Sequence, residues 1–307
     1  MNSKTRELFH VVERLTWLDI AKGITIILMV AGHSSMPSIV QHWIFSFHMP
    51  FFFLASGLTT NWEGHFLEFV SKKTRGLIVP FVTYSIIVEI LMVISGVGRP
   101  IDWYKGWQDY ALWFVPVLYV ALLLGRFFHA IPSFYGYVWI VLLFCASWLL
   151  SFCHIKLPWN LSVVPFAAGL VVLGSLFRQL VNKLSTYSRW WLLPVFLASI
   201  CCSYFFHLDM ARNQVIPTIP LVAGAIIGSL FIALLSIQIE AHSILLSKLL
   251  QHVGKETYLI MAFSQITIML LNEYIHIKLK YIILLVVIIV LKYVKDKINK
   301  MLKIRIL

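Results

Sequence analysis

Charge is scarce in this sequence. Only 12% of its 307 residues are Asp, Glu, Lys or Arg, about half the share of a soluble domain. With 60% hydrophobic residues and a mean hydropathy of +0.86, that shortage excludes an ordinary soluble enzyme. Cysteine is almost absent too: Cys145, Cys153, Cys201 and Cys202 lie in or beside apolar stretches, and no two have metal-type or CxxC spacing. They read as small buried apolar residues, which leaves no metal centre or redox motif to consider. Also missing are a repeat of fixed period, a low-complexity linker and any polar block large enough to be a separate soluble domain. Acidic residues are the scarcest charge, 13 against 25 basic, for a net charge of +12. The basic excess sits in the loops between apolar stretches, the distribution expected of membrane topology rather than of nucleic-acid binding.

Apolar stretches recur along the whole chain, near 19–36, 41–59, 77–97, 110–128, 135–153, 161–177, 190–207, 215–238, 256–274 and 277–294. The expectation is an all-α polytopic integral membrane protein. About ten transmembrane helices would surround an intramembrane cavity, as one domain over 1–307. An even number of spans puts both termini on one side. With that side cytoplasmic, eighteen of the 25 basic residues fall inside, six fall outside, and Lys22 lies within a span. This bias predicts cytoplasmic termini. A cleaved leader is a poor reading of the first 36 residues, because Asp19 and Lys22 precede the apolar core and His33 ends it.

Ionisable residues inside spans are costly and mark cavities, partners or water paths. Asp19, Lys22 and His33 in the first span are the densest such set. Three and eleven residues apart, they share one helical stripe, with Lys22 and His33 separated by about 16 Å along the axis. A substrate entering from inside would meet Asp19 and Lys22 at the mouth and His33 deeper. An interfacial Asp–Lys pair with a histidine bonded to a neighbouring helix fits the same pattern. In the second span His48 precedes Pro50, where a kink frees backbone groups for a cavity or simply holds a structural imidazole. Glu89 in the third span has no evident partner, and reads equally as a proton-handling group or as one paired across helices. Lys72 and Arg75, in a polar loop over 60–76, would share a helical face and could clamp a polyanion; they also read as a topology signal.

These residues carry a resemblance. The stretch 14–23 (RLTWLDIAKG) followed by Ala31-Gly32-His33-Ser34 resembles the opening of the membrane acyltransferase-3 family, including its spacing of ten residues between a basic residue and His. Residues 47–53 (FHMPFFF) with Ser56-Gly57 are similar to the fucose 4-O-acetylase-like branch. The run 72–80, Leu112-Trp113-Phe114-Val115-Pro116 and Gly254-Lys255-Glu256-Thr257-Tyr258 resemble further landmarks. The resemblance implies a membrane O-acyltransferase moving acetyl from acetyl-CoA to a sugar hydroxyl of a surface polysaccharide or its lipid-linked precursor, in the inner membrane, with no bound cofactor. It implies His33, with Asp19, as catalytic residues. Lys22, His48, Lys72, Arg75 and Trp113 would contact substrates, Lys72 and Arg75 by holding the donor phosphates. One departure stands out: relatives often carry a late His where this chain has Phe263-Ser264-Gln265.

The chemistry suits these groups. A sugar hydroxyl is a poor nucleophile, so a positioned His can take its proton as it attacks the thioester. His33 could instead accept the acetyl group and pass it on, which helps if donor and acceptor lie on opposite sides. Trp17 and Trp113 could offer faces to a sugar ring, or anchor at the membrane interface. A transporter or flippase of a glycan or lipid precursor, and a non-catalytic member of a glycan-assembly complex, are the competing classes. The clustering of polar groups in three spans disfavours the first, and the intact Lys22 and His33 disfavour the second.

Overall fold

The computed structural model describes residues 15–33, 36–99, 101–107, 110–184, 189–274 and 280–302. Both termini, Arg14 and Ser34, on which the expected topology and part of the motif rest, lie outside the described residues. The chain is 82% helix, and no strand forms among the described residues.

The helices are α1 (Thr16–Gly32), α2 (Ser38–Thr59), α3 (Phe66–Lys73), α4 (Val79–Ser95), α5 (Phe114–Phe128), α6 (Ser133–Phe152), α7 (Val164–Phe177), α8 (Leu192–Phe205), α9 (Thr218–His242), α10 (Ile244–Lys255), α11 (Thr257–Tyr274) and α12 (Lys280–Leu302). Within the described residues, most of each of the ten expected apolar segments is helical. Among the described residues, five helical stretches are long and apolar enough to cross a membrane: Phe66–Ser95, Ala111–Phe128, Tyr135–Phe152, Pro158–Phe177 and Thr218–His242. The first runs 30 residues because α3 joins α4 through a π-helical segment, Thr74–Ile78. The loop expected over 60–76 is therefore helical from Phe66, with Lys72 and Arg75 both exposed on it. The surface confirms a lipid-facing character: Val82, Ile86, Ile90, Val93 and Ile94 of α4, and Leu285, Val286, Ile289 and Val290 of α12, are exposed. Rows of large apolar side chains on a helix face are stable in hydrocarbon and are a liability in water.

Two glycine crossings build the interior. At the crossing of α1 and α10, a Cβ on Gly23 would lie 2.2 Å from the Leu250 carbonyl oxygen, and one on Gly254 would lie 1.8 Å from that of Asp19. At the crossing of α2 and α7, a Cβ on Gly57 would lie 1.9 Å from the Val171 oxygen, and one on Gly174 2.1 Å from the Leu54 oxygen. Without a hydrophobic force between helices in lipid, such small residues let backbones approach until dispersion and weak polar contacts hold them. The first crossing sets α1 at the centre, against α2, α9, α10 and α11. It also brings the Gly254–Tyr258 element alongside Asp19, some 230 residues away in sequence.

Glu89 is not isolated. Its Oε2 accepts the backbone N–H of Ile101 at 2.9 Å, and one helical turn before it Ser85 Oγ accepts the indole N–H of Trp107, also at 2.9 Å. Together they pin the loop that follows α4 to the helix it leaves.

Candidate active site

Helix α1 ends at Gly32, four residues short of the span expected from hydropathy, and His33 is its C-cap. Gln41 Nε2 donates to the Gly32 carbonyl at 2.9 Å, satisfying one of the orphan carbonyls at this end and fixing α1 against the start of α2. His33 thus stands at one end of α1, here called the upper end, and Asp19 and Lys22 stand near the other.

The expectation of one cavity shared by all three residues is not met, because the two ends of α1 open into two different polar cavities. The upper cavity has a volume of about 1020 Å³ and is lined by His33, Gln41 and residues of two distant loops, His154–Ser162 and His207–Ile216. The lower one has a volume of about 530 Å³ and is lined by Asp19, Lys22, Ser56, Thr59, Lys255, Glu256, Tyr258 and Lys295, and reaches up to Ile26 and Met261. From Ile26 to His33 the helix rises about 10 Å. The buried Met29 occupies that interval. Periodicity puts the three residues on one stripe, but about 16 Å of helix is roughly half the hydrocarbon thickness of a membrane, enough to set its two ends in different cavities.

The upper cavity is built with backbone strain. His154, Trp159, Asn160 and Asn213 have φ between 52° and 59°, and are the non-glycine residues with positive φ among the described residues. Three of them line this cavity, and Trp159 packs on Gly106, where a Cβ would come within 2.7 Å of the indole. A left-handed conformation costs of order 1–3 kcal/mol at a non-glycine residue and persists where surroundings enforce it, commonly at functional sites. The enforcing bonds are visible. Ser151 Oγ donates to the Asn213 carbonyl at 2.7 Å, Asn160 Nδ2 to the Met210 carbonyl at 3.3 Å, and the backbones of Asp209 and Gln214 exchange two hydrogen bonds. The loops after α6 and α8 are therefore tied to each other over His33.

His48 is buried, with its Nδ1–H donating to the Ile44 carbonyl at 2.9 Å. This bond leaves Nε2 as the acceptor nitrogen of a neutral ring. Its ring centroid lies 6.2 Å from that of His33, edge to face, and Phe45 packs within 5.4 Å of one and 5.1 Å of the other. His48 therefore supports His33 from behind, one ring removed from the cavity.

In the lower cavity Lys22 Nζ lies 3.6 Å from Asp19 Oδ1. Glu256 is clamped by two lysines of α12: Lys292 at 3.7 Å, and Lys295 in close contact. Tyr258 donates its O–H to the Leu77 carbonyl at 2.8 Å, closing the wall beside α4. Three lysines, Lys22, Lys255 and Lys295, and three carboxylates, Asp19, Glu256 and Asp296, line this cavity together with apolar walls.

The remaining expected site residues lie elsewhere. Lys72 is exposed beside Glu63 and Glu68 in a separate shallow pocket, and Arg75 is exposed on the π-helical segment. Lys73 is the inward one: half-buried, it donates to Thr60 Oγ1 at 2.9 Å and sits 5.4 Å from the Phe69 ring. Trp113 is buried against Phe114 and lines neither polar cavity. Trp17 lines a third, apolar cavity between α1, α2, α7, α8 and α9. Ser264, at the position of the missing His, is fully buried and has no hydrogen-bond partner for its Oγ among the described residues. Residues that sequence reasoning passed over, His154, His207 and Asp209 above and Lys295 below, complete the two cavities together with Lys255 and Glu256 of the 254–258 landmark. A signal existed for some of them: loops 154–160 and 207–214 concentrate His, Asp, Asn, Lys and Arg in a chain that is otherwise poor in charge.

No curated protein and no solved structure matches the chain. The sequence model of one family, described as an acyltransferase domain, matches residues 15–295, which takes in α1 with both ends of its polar stripe and every residue of the two cavities except Asp296. The chain belongs to the acyltransferase-3 family and is a membrane acyltransferase.

Proposed function

We propose that this protein is an O-acetyltransferase of the cytoplasmic membrane. In this reading it takes acetyl from acetyl-CoA at the lower cavity and delivers it to a sugar hydroxyl of a surface polysaccharide, or its lipid-linked precursor, at the upper one. The observation that carries the reading is that one helix, α1, ends in an imidazole at one polar cavity and carries a Lys–Asp pair in another. The loop-charge bias supports a cytoplasmic lower face, with ten spans and both termini on that side. Coenzyme A is cytoplasmic, and in this orientation the lower cavity would face it with three lysines among its lining residues. Lys22, Lys255 and Lys295 would hold its phosphates through charge-assisted hydrogen bonds, with Lys72 and Arg75 outside the mouth steering the approach of the anion. The pantetheine arm is the flexible element that would carry the thioester upward along the stripe past Ile26.

At His33 two routes balance. In direct transfer the acceptor oxygen attacks the thioester carbonyl, the imidazole takes the hydroxyl proton, and the tetrahedral adduct expels the coenzyme A thiolate, which then takes up that proton. In the carrier route the neutral imidazole nitrogen attacks first and expels the thiolate. The acyl-imidazole then gives its acyl group to the hydroxyl. In both routes the thioester must travel from the lower cavity to His33, which lines the upper one; the carrier route would let donor and acceptor meet His33 in turn. His48 would act as a positioning residue through ring packing, and Asp209, on the upper cavity wall, supplies a negative field at His33.

The test is single-turnover labelling in native membranes with radiolabelled acetyl-CoA and no acceptor. An acid-labile acyl group on the wild-type protein that is absent from His33→Ala supports the carrier route. Glycan acetylation without any labelled protein intermediate points to direct transfer. Neither labelling nor acetyl transfer, in protein shown to be folded, overturns the reading.

A further inference from the structure

The charges and orphaned atoms of the upper cavity describe its ligand. Two permanent cations, Lys156 and Arg212, and one carboxylate, Asp209, line it together with the imidazoles of His33, His154 and His207. The carboxylate is already engaged on both oxygens. Asp209 Oδ1 accepts the backbone N–H of Arg212 at 3.1 Å, and Oδ2 faces Arg212 Nε at 3.6 Å. That pairing uses only Nε, so the two terminal amino groups of Arg212 keep their donors. Lys156 takes part in no ion pair among the described residues, and its exposed ammonium belongs to the cavity rim.

The polar amides and hydroxyls deeper in the cavity do not offset this positive character. Gln41, Asn160 and Ser151 spend their donors on backbone carbonyls, those of Gly32, Met210 and Asn213. Asn213 Oδ1 is different: it is an acceptor, buried, with no hydrogen-bond partner among the described residues, on a side chain that lines the cavity and is only 8% exposed. A buried carbonyl oxygen left unpaired costs about 1–3 kcal/mol, and a turn of the Asn213 amide into the cavity would bring it to a donor on a ligand or a water. An anion cannot supply that donor, and an apolar chain cannot either. A ligand that fits both features has O–H donors on one side and a negative charge on another.

We propose that the upper cavity is the site of an anionic sugar acceptor, a hydroxyl of which donates to Asn213 Oδ1 while its negative group is received by Lys156 and Arg212. This rests on the acyltransferase reading for what happens to the sugar and is independent of it for binding. The negative group is a carboxylate on the sugar ring or a phosphate joining the sugar to a lipid; both ask for the same cations.

The experiment uses the full-length protein in lipid nanodiscs and three probes. They are an oligosaccharide of hexuronic acid units, the same oligosaccharide with its carboxyl groups reduced to alcohols, and a neutral saccharide on a polyprenyl diphosphate. Binding is followed by saturation-transfer NMR or thermophoresis, and acetyl transfer is followed in parallel. The expected result is preference for one of the two anionic probes over the reduced saccharide. Lys156→Gln should lower the ratio of anionic to neutral kcat/KM by roughly ten-fold or more, the size of one lost charge-assisted hydrogen bond. Asn213→Asp should weaken binding of either anionic probe, since it places a second carboxylate beside Asp209. Preference for the uronate or for the diphosphate tells which source supplies the charge. No preference for either anionic probe over the reduced saccharide, unchanged by Lys156→Gln, overturns the inference and leaves the acetyl-transfer reading standing. Lys156-dependent binding of an anionic probe without acetyl transfer supports the inference and overturns the acetyl-transfer reading.

Discussion

The Asp19 backbone carbonyl lies so close to Gly254 that a Cβ there would stand 1.8 Å from its oxygen. This single approach connects the two stretches that line the lower cavity, the Asp19–Lys22 pair on α1 and the Gly254–Tyr258 element between α10 and α11. It also explains why the motif has glycine at that point: with any side chain the helices must part, and Lys255 and Glu256 move away from Lys22.

Gly254→Ala is therefore expected to destabilise the protein by about 1–3 kcal/mol or more through overpacking, and to reduce acetyl transfer in whatever fraction still folds. Thermal unfolding in detergent, followed by tryptophan fluorescence, checks the first. A variant with unchanged unfolding temperature would mean that α1 and α10 do not cross this tightly.

His33→Ala and His33→Gln should each lower acetyl transfer by at least about 100-fold with folding intact, because an amide does not accept the proton or the acyl group. His33 caps α1 at its exposed end, so little packing is lost. His48→Ala should be milder, since that ring lies behind His33 and not in the cavity. Glycan acetylation at matched expression is the measurement, and a fully active His33→Gln would make the imidazole structural.

For the donor, Lys255→Ala should raise the apparent KM for acetyl-CoA by roughly ten-fold, at about 1.4 kcal/mol per decade. Lys72→Ala and Arg75→Ala, both outside the lower cavity, should have smaller effects that shrink further in high salt. The opposite order, with Arg75 dominant, would place the phosphates on the π-helical segment instead.

Glu89→Gln should preserve activity, because an amide oxygen still accepts the Ile101 N–H, whereas Glu89→Ala leaves that donor unpaired and should cost about 1–3 kcal/mol of stability. Comparing unfolding temperatures and turnover of the two variants checks this. Loss of turnover in Glu89→Gln at full stability would return the carboxylate to a proton-handling role.

Much of the site was legible in α1 alone. Eleven residues at helical pitch place Lys22 and His33 on one stripe, and the stripe is there. Which cavity each residue meets was not legible, because a helix supplies azimuth and rise within itself and says nothing about the loops that close over its ends. His154, His207 and Asp209 arrive at His33 from helices more than a hundred residues downstream. The widened turn at Thr74–Ile78, between Lys72 and the end of α3 on one side and α4 on the other, was not legible, because no residue type announces it. Lys73, the lysine that turns inward, differs from its neighbours only in how α3 packs beside Thr60.

By itself the sequence determined the class of the protein: with 60% hydrophobic and 12% charged residues there is too little polar surface to face water on all sides. Backbone groups in lipid must then be satisfied within helices. It also pointed to the charges inside the apolar stretches as candidate working parts, since each such residue is costly to keep there. Only the tertiary structure decided that these parts form two cavities instead of one. That outcome depends on how near two backbones can come at Gly23 and Gly254, and on left-handed turns at His154, Asn160 and Asn213 held by bonds between separate loops. Both are contacts between distant segments, whose energies appear only when the helices are already assembled.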